Sequence, residues 1–252
     1  MAVINLWTRV PRFDSRVQMM IVPLLLAVCV SASRLAAETF KMIIIGPSGV
    51  GKTSLASRLY LGHRYKWSAE VPSTVGSAFF VHKFKMDFAN TRVNCNLQIW
   101  DTAGQERYSS LLPMYLRDSD IVLLVFDVAA DLSSFEKARE LVMAHPEYLG
   151  EEWQAKEAGK RNKLFMVGNK VDLAVSETTR AVDRQVAANF ASAHGFDGYF
   201  EISVKDGTNF DALVNAVEGS CFDIMMNRRT RAPAPAEKIV VKAEAEQGYC
   251  CF

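Results

Sequence analysis

The sequence predicts an α/β fold with three layers: a mostly parallel six-stranded sheet, one antiparallel hairpin at its edge, and helices on both faces. Three observations predict it. From Thr39 onward, apolar runs of strand length alternate with amphipathic segments of helical length. Between the first two of these runs lies a stretch of strict apolar and polar alternation. A glycine-rich turn then joins the first apolar run directly to the first helical segment.

The strand candidates are Phe40 to Ile45, Ile121 to Asp127, Lys163 to Gly168 and Tyr199 to Ser203, as expected of a mostly parallel sheet covered by helices. In the hairpin, Phe80, Phe84, Met86 and Phe88 alternate with Lys83, Lys85 and Asp87. After Ala89, Asn90 and Thr91, the residues Val93, Cys95, Leu97 and Ile99 alternate with polar ones. Each hairpin strand is therefore expected to have one buried and one wetter face. Helical spacing appears at Val182, Val186 and Phe190, and again at Phe210, Leu213, Val214 and Val217, where Thr208 and Asp211 suggest a capping start. The core domain is expected to cover residues 39–226, with an N-terminal extension at 1–38 and a flexible tail at 227–252 that carries Arg228, Arg229, Arg231, Pro233 and Pro235.

Composition excludes several classes. With 29 basic and 28 acidic side chains the net charge is +1, so no broad electrostatic footprint for nucleic acid is present. The five cysteines and four histidines show no zinc or disulfide spacing, which makes a reducing compartment the expectation. No apolar run reaches the roughly 18 to 20 residues of a membrane-spanning helix.

The chemistry gathers in three motifs. Gly46-Pro47-Ser48-Gly49-Val50-Gly51-Lys52-Thr53, followed by Ser54, fits the phosphate-loop pattern G-x-x-x-x-G-K-S/T between a strand and a helix. Polyphosphate is wrapped by backbone N–H groups at close range, which requires glycine, and the helix N-terminus adds a positive dipole end. Lys52 reaches toward terminal phosphates and the Thr53 hydroxyl is suited to Mg²⁺. Trp100-Asp101-Thr102-Ala103-Gly104-Gln105 leaves the second hairpin strand with a carboxylate for the magnesium shell, an amide at Gly104 for a γ-phosphate, and Gln105 placed to orient water. Taken alone, it would also serve as a plain turn. Asn169-Lys170-Val171-Asp172 follows a buried strand. A carboxylate such as Asp172 accepts two hydrogen bonds from the N1–H and N2–H₂ edge of guanine, which adenine lacks, while Asn169 braces the base and the stem of Lys170 lies over it. A loop-and-turn role is the bland alternative.

In order and spacing, the phosphate loop, Thr74, D-T-A-G-Q, N-K-x-D and Ser203-Val204-Lys205 resemble the Ras superfamily of small GTPases, over roughly Thr39 to Met226. The residues Trp100 to Tyr108 and the Cys250-Cys251-Phe252 ending resemble the Rab family. Ser73 to Phe79 with Leu112-Pro113-Met114-Tyr115 is similar to its early-endosomal subgroup. The resemblance implies a P-loop GTPase domain that binds GTP or GDP with Mg²⁺ held through Thr53, Thr74 and Asp101. It further implies Thr74 as the switch residue reporting a γ-phosphate, Trp67 as an aromatic edge near the base, and Phe79, Trp100 and Tyr115 as an effector-facing triad. Ordinary core or hairpin packing is the alternative for these three aromatics. Implied partners are an exchange factor, an activating protein, effectors, and prenyl-delivery and extraction proteins. The place of work is the cytoplasmic face of an intracellular membrane, endosomal by the subgroup, with a cytosolic pool.

Two departures from the family pattern stand out. Val204 replaces the small residue usual in the S-A-K element, leaving its amide for the guanine oxygen but enlarging the side chain. An enlarged, charged loop spans His145 to Lys163. The Cys250-Cys251-Phe252 end is not a C-a-a-X box and resembles a Rab ending that carries two geranylgeranyl groups, which together give stable anchoring where one does not. Arg9, Arg12 and Arg16 before the apolar run Met19 to Val30 outline a secretory signal, in conflict with a cytosolic switch; an extension from an upstream start, or a disordered or peripheral segment, is the preferred expectation. Competing readings are a GTP-dependent scaffold with negligible hydrolysis, an N-terminally held receptor-type GTPase, and an ATP-using P-loop kinase.

Overall fold

The structure is a computed structural model and describes residues 37–69, 74, 76–88, 91–104, 111–129, 132–149, 162–176 and 179–231. In chain order the elements are β1 (Glu38–Ile45), α1 (Lys52–Leu61), a 3₁₀ turn (Gly62–Arg64), β2 (Ser77–Phe88), β3 (Thr91–Thr102), α2 (Leu112–Leu116), β4 (Ile121–Asp127), α3 (Ser133–Ala144), α4 (Pro146–Leu149), β5 (Lys163–Asn169), α5 (Arg184–Ala193), β6 (Gly198–Glu201) and α6 (Phe210–Arg231). The sheet order is β2-β3-β1-β4-β5-β6. Among the described strands only β2 and β3 pair antiparallel; every other neighbour is parallel.

The apolar runs lack alternation because both faces of the central strands are covered. Met42 and Ile44 join Leu55, Leu97, Leu123, Leu213 and Val217 in one core. Ile43 and Ile45 point the other way, into a second core with Phe126, Phe135, Val142 and Met166. The parallel order reverses across β1, and such a switch point leaves a crevice at the carboxyl ends of the strands. The phosphate-loop motif sits there because it begins where β1 ends.

Several local expectations shift. In β3 the residues Val93, Cys95, Leu97 and Ile99 are buried, whereas in β2 only Met86 is, since an edge strand has a single neighbour to cover it. Val186 is 55% exposed; α5 starts one residue after its cap Asp183, whose Oδ1 accepts from the amides of Gln185 and Val186, and the helix buries Ala187 and Ala191 instead. Thr208 turns its hydroxyl onto Asp206 Oδ1 at 2.8 Å rather than toward the α6 amides.

The change of composition at Met226 does not end α6, which runs through Arg231. Arg228 donates to the carbonyl of Thr39 at 3.0 Å and pairs with Asp120, and Arg229 pairs with Glu38 at 2.8 Å. The helix thus fastens to the first strand, through contacts exposed enough to contribute only modestly. Among the described residues, no helix is long and apolar enough to cross a membrane. Positions 1–36 and 232–252, including Cys250 and Cys251, and most of the enlarged loop (150–161) lie outside the described residues.

Candidate functional site

At the carboxyl ends of β1, β3 and β5 lies a cleft of about 550 Å³, lined at one end by Gly49, Gly51, Lys52 and Thr53 and at the other by Trp67, Asp172 and Lys205. Ser48, Ser54, Thr74, Gly104, Asn169, Lys170 and Val204 line it as well. The phosphate loop needs glycine for measurable reasons. Gly46 has φ +140°, and a Cβ there would lie 2.1 Å from the carbonyl oxygen of Val125. Gly51, the N-cap of α1, has φ +96° and uses no side-chain cap. The first amides of α1 are therefore not taken by a capping side chain, the arrangement that suits an anion.

Lys52 is 6% exposed, and its Nζ donates to the carbonyl of Pro47 at 2.7 Å. Burial lowers its ammonium from the usual value to about 8, with the charge of Asp101 acting the other way. Gly104 closes over the same point: a Cβ there would stand 2.2 Å from Lys52 Nζ. The turn after β3 is thereby folded against the phosphate loop, and a phosphate entering this end would meet the cation and backbone together.

Behind Lys52, three oxygen-bearing side chains converge. Asp101 Oδ2 accepts from Thr53 Oγ1 at 2.7 Å and from Thr74 Oγ1 at 3.2 Å, and the two hydroxyls are 2.8 Å apart. Asp101 is fully buried, and its Oδ1 has no partner. Burial raises its carboxyl above the usual range against the opposing Thr53 and Thr74 hydrogen bonds and the Lys52 charge. A buried carboxylate oxygen left unpaired beside two hydroxyls fits a hard divalent cation such as Mg²⁺, whose remaining positions water and phosphate would fill.

At the other end, Asn169 acts as a bracket. Its Nδ2 donates to the carbonyl of Val50 at 2.8 Å, and its Oδ1 accepts from the amide of Val204 at 3.1 Å. The side chain of Val50 is buried, so this residue contributes its backbone. Ser203 is likewise buried and donates its hydroxyl to Asp172 Oδ1 at 2.8 Å. Lys205 Nζ lies 3.7 Å from Asp172 Oδ2 and 5.0 Å from the centroid of the half-exposed Trp67 ring. Lys170, at φ +69°, lines the cleft and pairs with Asp127 at 2.7 Å. Because the Val204 amide is given to Asn169, a ligand oxygen would have to share it.

Most of the sequence-derived residues of the phosphate, cation and base ends thus line one cleft; Val50, Asp101 and Ser203 are bonded to lining residues from behind it, Gly46 lies outside the lining, and Gln105 falls in 105–110, outside the described residues. The aromatic triad also assembles. Phe79 pairs with Trp100 across the β2 and β3 register with ring centroids 5.1 Å apart, and Trp100 stands 6.3 Å from Tyr115. Phe79 is 49% exposed, and the neighbouring Met114 is exposed too. Reading the sequence missed the lysine partner Asp127 and the network of Arg180 with Glu201 and Tyr199 on β6. There the Arg180 guanidinium grips Glu201 at 2.8 and 2.9 Å and the Tyr199 hydroxyl donates to the same carboxylate at 2.8 Å. No local pattern announces the two ion pairs, since Arg180 and Glu201 are 21 positions apart and Lys170 and Asp127 belong to different strands and loops.

A reversing, mostly parallel sheet with its cleft at the strand ends and an antiparallel edge pair is the Ras-like P-loop GTPase fold. The sequence profile described as Ras family matches residues 41–221. Ras-related protein Rab-7a of Paramecium octaurelia is 33% identical over 217 residues, covering 85% of this chain and 97% of that one. Ras-related protein RABG3c of Arabidopsis thaliana is 37% identical over 178 residues, 70% of this chain and 79% of that protein. The Ras and EF-hand domain-containing protein homolog of Caenorhabditis elegans is 36% identical over 183 residues, 72% of this chain, which spans only 26% of that longer relative. The chain belongs to the Ras family, and its likeness to Rab-named proteins over most of their length makes it a Rab-like member.

Proposed function

We propose that the protein is a guanine-nucleotide switch: it binds GTP or GDP with Mg²⁺, hydrolyses GTP slowly, and in its GTP form recruits effectors that regulate vesicle traffic. The observation that carries this reading is Asn169, which ties the phosphate loop at Val50 to the base loop at Val204 and so holds a phosphate end and a base end in one cleft. Asp172 reads guanine through its N1–H and N2–H₂ donors, and Lys52 with the loop amides meets the phosphates. Thr53, Thr74 and Asp101 would hold Mg²⁺, which would supply positive charge against the phosphates. Gln105 orients the attacking water. Turnover is slow without an activating protein, whose arginine adds about 10³ to 10⁵ in rate.

The γ-phosphate tethers Thr74 and Gly104, and its loss releases both loops. The exposed ring of Phe79 beside Trp100 and Tyr115 supports an effector surface. An exchange factor, an activating protein, and prenyl-delivery and extraction proteins complete the set of partners. Paired lipids on Cys250 and Cys251 hold the protein to an intracellular membrane, endosomal by the resemblance of its switch residues. Single-turnover hydrolysis tests this: Gln105→Leu is expected to retain bound GTP and lose most of the rate, whereas an unchanged rate would remove Gln105 from the mechanism.

A further inference from the structure

We infer that Arg58 is a positioning residue that fastens the base-recognition loop to the phosphate-loop helix, setting both how slowly nucleotide leaves and how well guanine is distinguished. This rests on the reading of the cleft as a guanine-nucleotide site. Arg58 lies on α1 six positions beyond Lys52, about 9 Å along the axis, and is absent from the cleft lining, so it acts through other groups. Its Nη1 donates to the carbonyl of Val204 at 2.6 Å and to that of Lys205 at 3.3 Å. The guanidinium lies 4.9 Å from the ring centroid of Phe210 and 5.4 Å from that of Tyr65, one at the start of α6 and the other just after the 3₁₀ turn. Two carbonyls and two rings fix its plane, a task that a fork of donors performs and a point charge does not.

The loop is shaped around this guanidinium. A Cβ at position 207 would stand 2.3 Å from Arg58 Nη2, and Gly207 has φ +94°, so the turn is open to Arg58 only because it is glycine. Ser203 closes the same turn, accepting from the amide of Gly207 at 2.9 Å and donating its own amide to Thr208 at 3.0 Å. The groups that face the base project from this turn: the Ser203 hydroxyl on Asp172, the Val204 amide on Asn169 and the Lys205 ammonium beside Asp172. Holding the Val204 and Lys205 carbonyls on the helix side therefore sets the direction of all three on the cleft side. Without Arg58, two carbonyls lose a charged donor and the orientation of Asp172 loosens, while the phosphate end keeps its own contacts.

The experiment uses the full chain loaded with a fluorescent GDP and Mg²⁺, chased with unlabelled GDP, together with competition between GDP and inosine diphosphate, which lacks the 2-amino group. Arg58→Ala is expected to release nucleotide about tenfold to a hundredfold faster. It is also expected to narrow the preference for GDP over inosine diphosphate several-fold, because Asp172 no longer meets the 2-amino group squarely. Arg58→Lys, with a charge but no fork, should recover part of both. Release at the wild-type rate, or faster release with an unchanged GDP to inosine diphosphate ratio, would overturn the inference, the latter leaving Arg58 a merely structural residue. Should Arg58→Ala fail to fold, Arg58→Gln is measured by the same two readouts, with the same expected and overturning results. A wild-type chain that holds no guanine nucleotide would defeat the reading of the cleft, and this inference with it; unchanged behaviour in the variants alone defeats only the role of Arg58.

Discussion

Replacing Asn169 by alanine should be among the most damaging single changes in the protein even with no nucleotide present. The side chain is 2% exposed and makes two hydrogen bonds to backbone groups of different loops, at 2.8 Å to Val50 and 3.1 Å from Val204. Truncation leaves a carbonyl and an amide without partners beside a small void. Each buried group so stranded costs about 1–3 kcal/mol, and water entering from the open cleft recovers part of it, so a net loss of about 2–4 kcal/mol is expected. For a domain of this size that corresponds to a fall of roughly 4–16 °C in Tm. The assay is thermal and urea unfolding of the wild type and Asn169→Ala after nucleotide and Mg²⁺ have been stripped, so that ligand linkage does not enter. A shift under about 2 °C, with an unchanged urea midpoint, would refute the reasoning, since it would mean that the bracket seen in the structure bears no load.

Two further outcomes follow from the geometry. Gly46→Ala places a Cβ 2.1 Å from the Val125 carbonyl at a backbone angle that side chains rarely adopt, so the purified variant should carry almost no nucleotide; ultraviolet absorbance of the denatured protein reads this. The Glu201 network predicts a pH profile. Burial opposes ionisation of Glu201, but Arg180 and the Tyr199 hydroxyl outweigh it and hold its carboxyl below the usual value. Its stability contribution is then full above the unfolded value near pH 4.3 and is lost as pH falls through the depressed folded value. Burial and then Glu201 push the Tyr199 hydroxyl up, so its contribution is full below about pH 10 and fades above it, where the unfolded chain alone loses the proton. Stability against pH should therefore fall less steeply on the acid side in Glu201→Gln and less steeply on the alkaline side in Tyr199→Phe; unchanged limbs would contradict the pairing.

What was legible in the sequence is what local chemistry compels. A phosphate loop advertises itself because only glycine suits φ +140° at Gly46 and φ +96° at Gly51, and those needs are met within a few residues. The central strands were legible because burial on both faces removes alternation, as Ile43 and Ile44 show by entering opposite cores. The rest depends on contacts between distant positions. Arg58 and Val204 are 146 positions apart and meet only once the sheet has formed, and nothing in the surroundings of Arg58 in the chain distinguishes it from a solvated helix arginine. Val186 misleads for a related reason: Val182 lies outside α5, so its burial does not set the phase of the helix. Past Met226, α6 places Arg228 and Arg229 against Asp120, just before β4, and Glu38, at the start of β1, tertiary contacts that a basic, proline-bound segment does not display in sequence.

The central claim is that Asp172 and the glycine-wrapped lysine serve a single guanine nucleotide. Thermal unfolding of the stripped full chain with GDP and Mg²⁺, against ADP and Mg²⁺ at equal concentration, tests it most directly. A rise in Tm with GDP that ADP does not reproduce is the predicted result; equal protection by ADP, or none from either, would contradict it.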